Sequence, residues 1–144
     1  MTIVIVDYGM GNLRSVVKAV EAFTSDVRIS SSPDSLIDSK AIILPGDGAF
    51  AMAMRNLNDL GFIEPIKSYI ANGGYFLGIC LGFQLLFTES EEFGLTKGLD
   101  IIKGKVVRFK GEHLKIPNMG LNNVKITGES KFLENIPDMS YFYF

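Results

Sequence analysis

A chain of 144 residues is long enough for one ordinary domain with its own core. With 47% hydrophobic and 21% charged residues it is not a disordered chain, and a formal net charge of -2 gives no general drive toward nucleic acid or an anionic membrane. One cysteine excludes an intrachain disulfide and fits a reducing compartment, the cytoplasm, and no apolar run is long enough to cross a bilayer.

The elements follow from hydrophobic period. The opening MTIVIVDYGMGNL has no basic flank and no cleavage-site pattern, so Ile3 to Val6 reads as a buried strand and not as a signal peptide. Leu13 to Phe23 carries Val16, Val17, Val20 and Phe23 at helical spacing. Val27 to Ile29 is a short strand, Ser30 to Pro33 a turn, and Ala41 to Leu44 a third strand ended by Pro45-Gly46. Phe50 to Leu60 and Phe62 to Ala71 read as helices; in the first, Met54 and Leu57 share a face, and one of Met52 and Met54 must point outward. After Asn72-Gly73-Gly74, Tyr75 to Ile79 is a fourth strand and Leu81 to Phe87 a helix. Glu89 to Glu92 is expected as an exposed acidic turn. Val106 to Phe109, Asn122 to Ile126 and the final MSYFYF read as strands of a more exposed type. Lys103, Lys105, Arg108 and Lys110 read as the solvated face of a strand. The alternation predicts an α/β fold, a doubly wound and mostly parallel sheet of flavodoxin-like type, in a single domain over 1–144.

Chemistry concentrates at Gly78-Ile79-Cys80-Leu81-Gly82. The pattern G-x-C-x-G between a strand and a helix has the spacing of a nucleophile elbow, where a sharp turn needs small neighbours and holds the nucleophile above the carboxyl edge of the sheet. A helix beginning at Leu81 favours a thiolate, and the Leu81 amide is placed to meet an oxyanion. Most lone cysteines are small core residues, and the spacing alone leaves both readings open. Pro45-Gly46-Asp47-Gly48 follows the third strand. Two glycines there suit either a loop approaching a ligand or an ordinary strand-to-helix turn. In a doubly wound sheet this loop and Cys80 share an edge, so an amide of Asp47 or Gly48 would complete a two-donor oxyanion hole with Leu81.

Five segments in order, IVDYGMGNL, LPGDGAF, GICLGFQLLF, TESEE and PNMGLN, resemble class I glutamine amidotransferases, and among these most the glutaminase subunits of imidazole glycerol phosphate synthases. The resemblance covers nearly the whole chain. It implies that Cys80 attacks the carboxamide of glutamine, that Gly46, Asp47, Gly48 and Leu81 hold the oxyanion, and that Gln84 helps bind the substrate. It also implies that Asn12 faces a (β/α)8-barrel cyclase, which takes up the released ammonia for histidine biosynthesis. Neither a metal nor an organic cofactor is implied.

Two features depart from the pattern. The family's base and orienting carboxylate lie in an H-P-E motif near the C-terminus, which this sequence lacks; its single histidine, His113, sits in KGEHLKIP and reads as a solvent-facing loop residue. The end in YFYF suggests a chain cut before the base-bearing segment, so the 144 residues alone are expected not to hydrolyse glutamine, with apolar surface left near Phe142 and Phe144. Leu121 stands where the family usually carries tryptophan, which leaves open a partner acting in surface-sugar amidination. A catalytically dead partner-binding module is a further alternative. A different cysteine hydrolase on a similar sheet fits less well, because PGDG and CLGFQ together belong to amidotransferases.

Overall fold

The structure is a computed structural model and describes residues 2–111 and 114–144. It divides into two compact units, residues 1–108 and 109–144.

In the first unit, four parallel strands form a sheet in the order β2-β1-β3-β4: β1 (Ile3–Val6), β2 (Val27–Ser30), β3 (Ala41–Leu44) and β4 (Tyr75–Gly78). Ile5 pairs with Ile29 on one side and Ile43 on the other, and Leu44 pairs with Gly78. The chain leaves β1 toward β2 and returns past it to β3, so the winding reverses beside β1, which is where open α/β sheets hold their ligands. The sheet therefore has the parallel, doubly wound character expected from the continuous apolar runs.

Helix α1 (Leu13–Glu21) runs against β1 and β2. Helices α2 (Phe50–Asp59) and α3 (Ile63–Ala71) fill the crossover to β4. From one face of the sheet Val4, Val6, Ile42 and Leu44 join Phe50, Ala53, Leu57, Phe62 and Ile66 in one buried cluster. Each large apolar side chain sealed there contributes about 1.5–3 kcal/mol. Phe50, Ala53 and Leu57 recur at helical spacing, Met54 packs partly against them, and Met52 is exposed. The Ser-Pro turn is a 3-10 turn over Pro33–Leu36, whose Leu36 is buried.

Past Cys80 the expected elements shift. Helix α4 spans only Leu81–Gln84, and Phe87–Ser90 is a strand, β5, where a helix end and an exposed acidic turn were expected. β5 lies between β6 (Thr96–Lys97), antiparallel, and β7 (Ile102–Val106), parallel. β7 replaces the strand expected at 106–109. Tertiary pairing decides this stretch: Leu85 and Leu86 seal into the core, and their carbonyls accept from the amides of Leu99 and Ile101. Two of the basic residues are matched by acids of the same unit: Lys103 pairs with Asp100 at 2.7 Å, and Lys105 with Glu89.

The second unit has an antiparallel pair, β8 (Leu121–Val124) and β9 (Ser140–Tyr143), in register from Leu121 opposite Tyr143 to Val124 opposite Ser140. The strand expected to reach Ile126 stops at Val124, because the Ile126 amide donates instead to the Asp138 carboxylate at 2.8 Å. Glu112 and His113 lie outside the described residues.

Candidate active site at the carboxyl edge of the sheet

Three loops leave neighbouring strands β1, β3 and β4 at one edge. Cys80, between β4 and α4, has φ 55 and ψ -115, a backbone conformation that residues with a Cβ rarely hold and that clusters at functional turns. The thiol is exposed, so the core-cysteine reading does not apply. The flanking glycines are required by close approach. A Cβ on Gly82 would run into the Leu44 carbonyl, and one on Gly78 would lie 2.7 Å from the Phe83 nitrogen. The Ile79 amide donates to Leu44 O at 3.0 Å, fixing the turn to the end of β3.

The loop at 45–48 meets this turn. A Cβ on Gly46 would lie 2.9 Å from the Gly82 nitrogen and 2.6 Å from the Tyr8 hydroxyl, while Gly48 has φ +80. Gly46 is required by close approach to the protein's own backbone and Gly48 by its positive φ. Asp47 and Gly48 are exposed, and Leu81 is buried at the start of α4. With only four residues, α4 carries a smaller aligned dipole than the helix expected over 81–87, so its support for a thiolate is weaker. The amides of Gly82, Phe83 and Gln84 are taken by the carbonyls of Ile79 and Cys80. Gln84 is half-buried one turn from Cys80, bonded to its carbonyl at 3.1 Å. Asn12 is exposed, and its Oδ1 accepts from the Ser15 amide at 3.1 Å, capping α1.

Three supporting side chains escaped the sequence reading. The buried Tyr8 hydroxyl donates to Pro45 O at 2.8 Å. Burial first, then the nearby charges of Asp47 and Cys80, raise its pKa well above the ordinary 10.0. The Glu92 carboxylate accepts from the Phe50 amide at 2.7 Å, so it caps α2 directly after the 45–48 loop. Ser90, fully buried, accepts from the Glu92 amide at 3.1 Å and sets that residue's place. The one available signal was Ala49: it precedes α2 and has no side-chain acceptor, so the helix needs a cap from elsewhere.

Comparison with known proteins identifies the family. The family model of glutamine amidotransferase class-I matches residues 4–140. The chain is 46% identical over 149 residues to the imidazole glycerol phosphate synthase subunit HisH of Geobacter metallireducens, covering 99% of this chain and 71% of that one. It is 49% identical over 142 residues to the HisH subunit of Methanosarcina barkeri, covering 99% and 69%. A crystal structure of a glutamine amidotransferase superposes with a TM-score of 0.70 at 18% identity, over 87% of this chain and 65% of that one, a likeness of fold. Matched along almost its whole length by both the family model and these relatives, the chain belongs to the class-I glutamine amidotransferase family.

Proposed function

We propose that this chain carries the nucleophile and oxyanion loop of a glutaminase that supplies ammonia to a synthase partner in histidine biosynthesis. The observation that carries the reading is the exposed Cys80 at φ 55 with the 45–48 loop packed against its turn. The Cys80 sulfur attacks the side-chain carboxamide carbon of glutamine, and the carbonyl π electrons move onto oxygen. Collapse of that oxyanion forms a glutamyl thioester and expels the nitrogen, protonated, as ammonia; water then releases glutamate and restores the thiol. The Leu81 amide and an amide of Asp47 or Gly48 receive the oxyanion, and Gln84 holds the substrate. Asn12, exposed at the mouth of α1, faces a (β/α)8-barrel partner.

The general base comes, in this reading, from residues outside this chain. The relatives of which it spans 69 and 71% are longer, and the 144 residues hold a single histidine. The chain alone is therefore expected not to turn glutamine over. Ammonia release by these 144 residues that disappears in Cys80→Ser would overturn that part. The test of the whole reading is intact-mass analysis of the chain treated with a chloroketone analogue of glutamine, with and without a barrel synthase. Labelling at Cys80 that glutamine blocks is expected. Labelling by iodoacetamide but not by the analogue, in both conditions, rejects the assignment.

A further inference from the structure

The 45–48 loop belongs to no strand or helix, yet side-chain bonds tie it at two points to the loop after β1. Tyr8, 1% exposed, donates to Pro45 O, and the Asp47 carboxylate accepts from the Gly11 amide at 3.0 Å. The two loops are also in backbone contact, since a Cβ on Gly11 would lie 3.2 Å from the Gly46 nitrogen. Tyr8 thus anchors the start of the loop, and Asp47 fastens its middle, between the two glycines that give it freedom to turn.

We propose that the Asp47 side chain is a positioning residue: by latching onto the Gly11 amide it fixes the peptide planes on either side of it relative to Cys80. The inference rests on the glutaminase reading, in which an amide of this loop receives the oxyanion. Donors aimed at a developing charge are effective when their orientation is already set before the reaction. A peptide between two glycines has no intrinsic reason to hold one orientation. An acceptor oxygen bonded across to the amide of a neighbouring loop supplies one. The role needs an acceptor oxygen and does not need the charge itself, so asparagine should replace aspartate where alanine should not.

The test compares Asp47→Ala and Asp47→Asn with the parent chain by two readouts. The first is hydrogen exchange of the Gly11 amide. The second is the rate of Cys80 labelling by the chloroketone glutamine analogue divided by the rate with iodoacetamide. Asp47→Ala is expected to speed Gly11 exchange about tenfold and to lower the labelling ratio about tenfold, while Asp47→Asn keeps both within about threefold. Unchanged Gly11 exchange in Asp47→Ala removes the latch. Faster exchange with an unchanged labelling ratio leaves a tether that positions nothing, and overturns the proposal. An asparagine variant as impaired as alanine also overturns it, in favour of a role for the charge. If the parent chain shows no glutamine-blocked labelling either with or without a barrel synthase, the glutaminase reading fails and the positioning role falls with it, whereas the exchange data still report whether the tether forms.

Discussion

In the unit of residues 1–108, Val4, Val6, Ile42, Leu44, Phe50 and Leu57 have no access to solvent. In the unit of residues 109–144 none of the described residues is buried, and Phe132, Tyr141, Tyr143 and Phe144 are each more than half exposed. Both units are rich in apolar side chains. What separates them is layering. Repeated strand-helix connections give the first unit a sheet with covering helices, so an apolar residue has somewhere to go. Among its described residues the second unit contains one two-stranded ribbon with no second layer, an arrangement that is marginal by itself in water. The tight packing of the first unit also carries the candidate site, because Cys80's strained turn is held by contacts that leave no room for one carbon atom.

That contrast can be broken at Gly82. Gly82→Ala places a Cβ against the Leu44 carbonyl, at the junction of β3 and α4. A backbone oxygen at a strand end has little room to yield, so a loss of about 3 kcal/mol or more is expected. It should appear as faster amide exchange throughout β1, β3 and β4, with the β8–β9 ribbon unaffected. A stable Gly82→Ala chain would mean that the two units are not so differently packed.

Tyr8 gives a smaller effect with a pH signature. Tyr8→Phe removes the bond to Pro45 O and should cost about 1–1.5 kcal/mol at neutral pH. Since burial and the charges of Asp47 and Cys80 raise the folded-state pKa, both folded and unfolded chains keep the proton below the ordinary 10.0. Above it the unfolded chain releases the proton while the folded one retains it, so stability falls as pH rises from there. Denaturation midpoints between pH 8 and pH 11 (about three units spanning the ordinary tyrosine range) should decline less in Tyr8→Phe than in the parent. Equal declines would show that Tyr8 does not set the alkaline limit.

At Cys80 the sign reverses. Cys80→Gly relieves a backbone held at φ 55 and should stabilise the first unit by about 1 kcal/mol after the entropic cost of glycine, whereas Cys80→Ala keeps the strain and should be near neutral. Urea midpoints of the three proteins decide it. A glycine variant no more stable than the alanine one would mean that the turn stores no strain.

β1 and β3 were legible because three of the four residues in each are buried, so they read as unbroken apolar runs that punctuation at Asp7 and Pro45 ends cleanly, and β4 reads as an apolar run ended at Gly78 although its Tyr75 is exposed. The meeting of the 45–48 loop with the cysteine turn was legible too, since topology brings the ends of neighbouring parallel strands to one edge. The run from Leu81 to Phe87 was not, because an apolar stretch of that length suits a helix or a strand, and pairing of Phe87–Ser90 with Ile102–Val106 decides where one gives way to the other. Tyr8 and Glu92 were invisible for a different reason. Their partners, Pro45 and Phe50, lie 37 and 42 residues away, and no local pattern marks a tyrosine as an anchor or a glutamate as the cap of a distant helix.

The smallest effect belongs to the second unit. Leu121, opposite Tyr143 in the ribbon, is 68% exposed. Its contribution is limited to a cross-strand contact, so Leu121→Ala should cost less than about 0.5 kcal/mol. The amides of Asn122 and Val124 should exchange almost as in the parent, and those of β1 and β3 should not change. Tyr141→Ala, on the same strand as Tyr143 and equally exposed, should behave alike. A cost above about 2 kcal/mol for either would be a core-sized penalty, which only a covered side chain can give. In that case the second unit has a packed layer in solution, and the difference between the two units is one of neighbours and not of architecture.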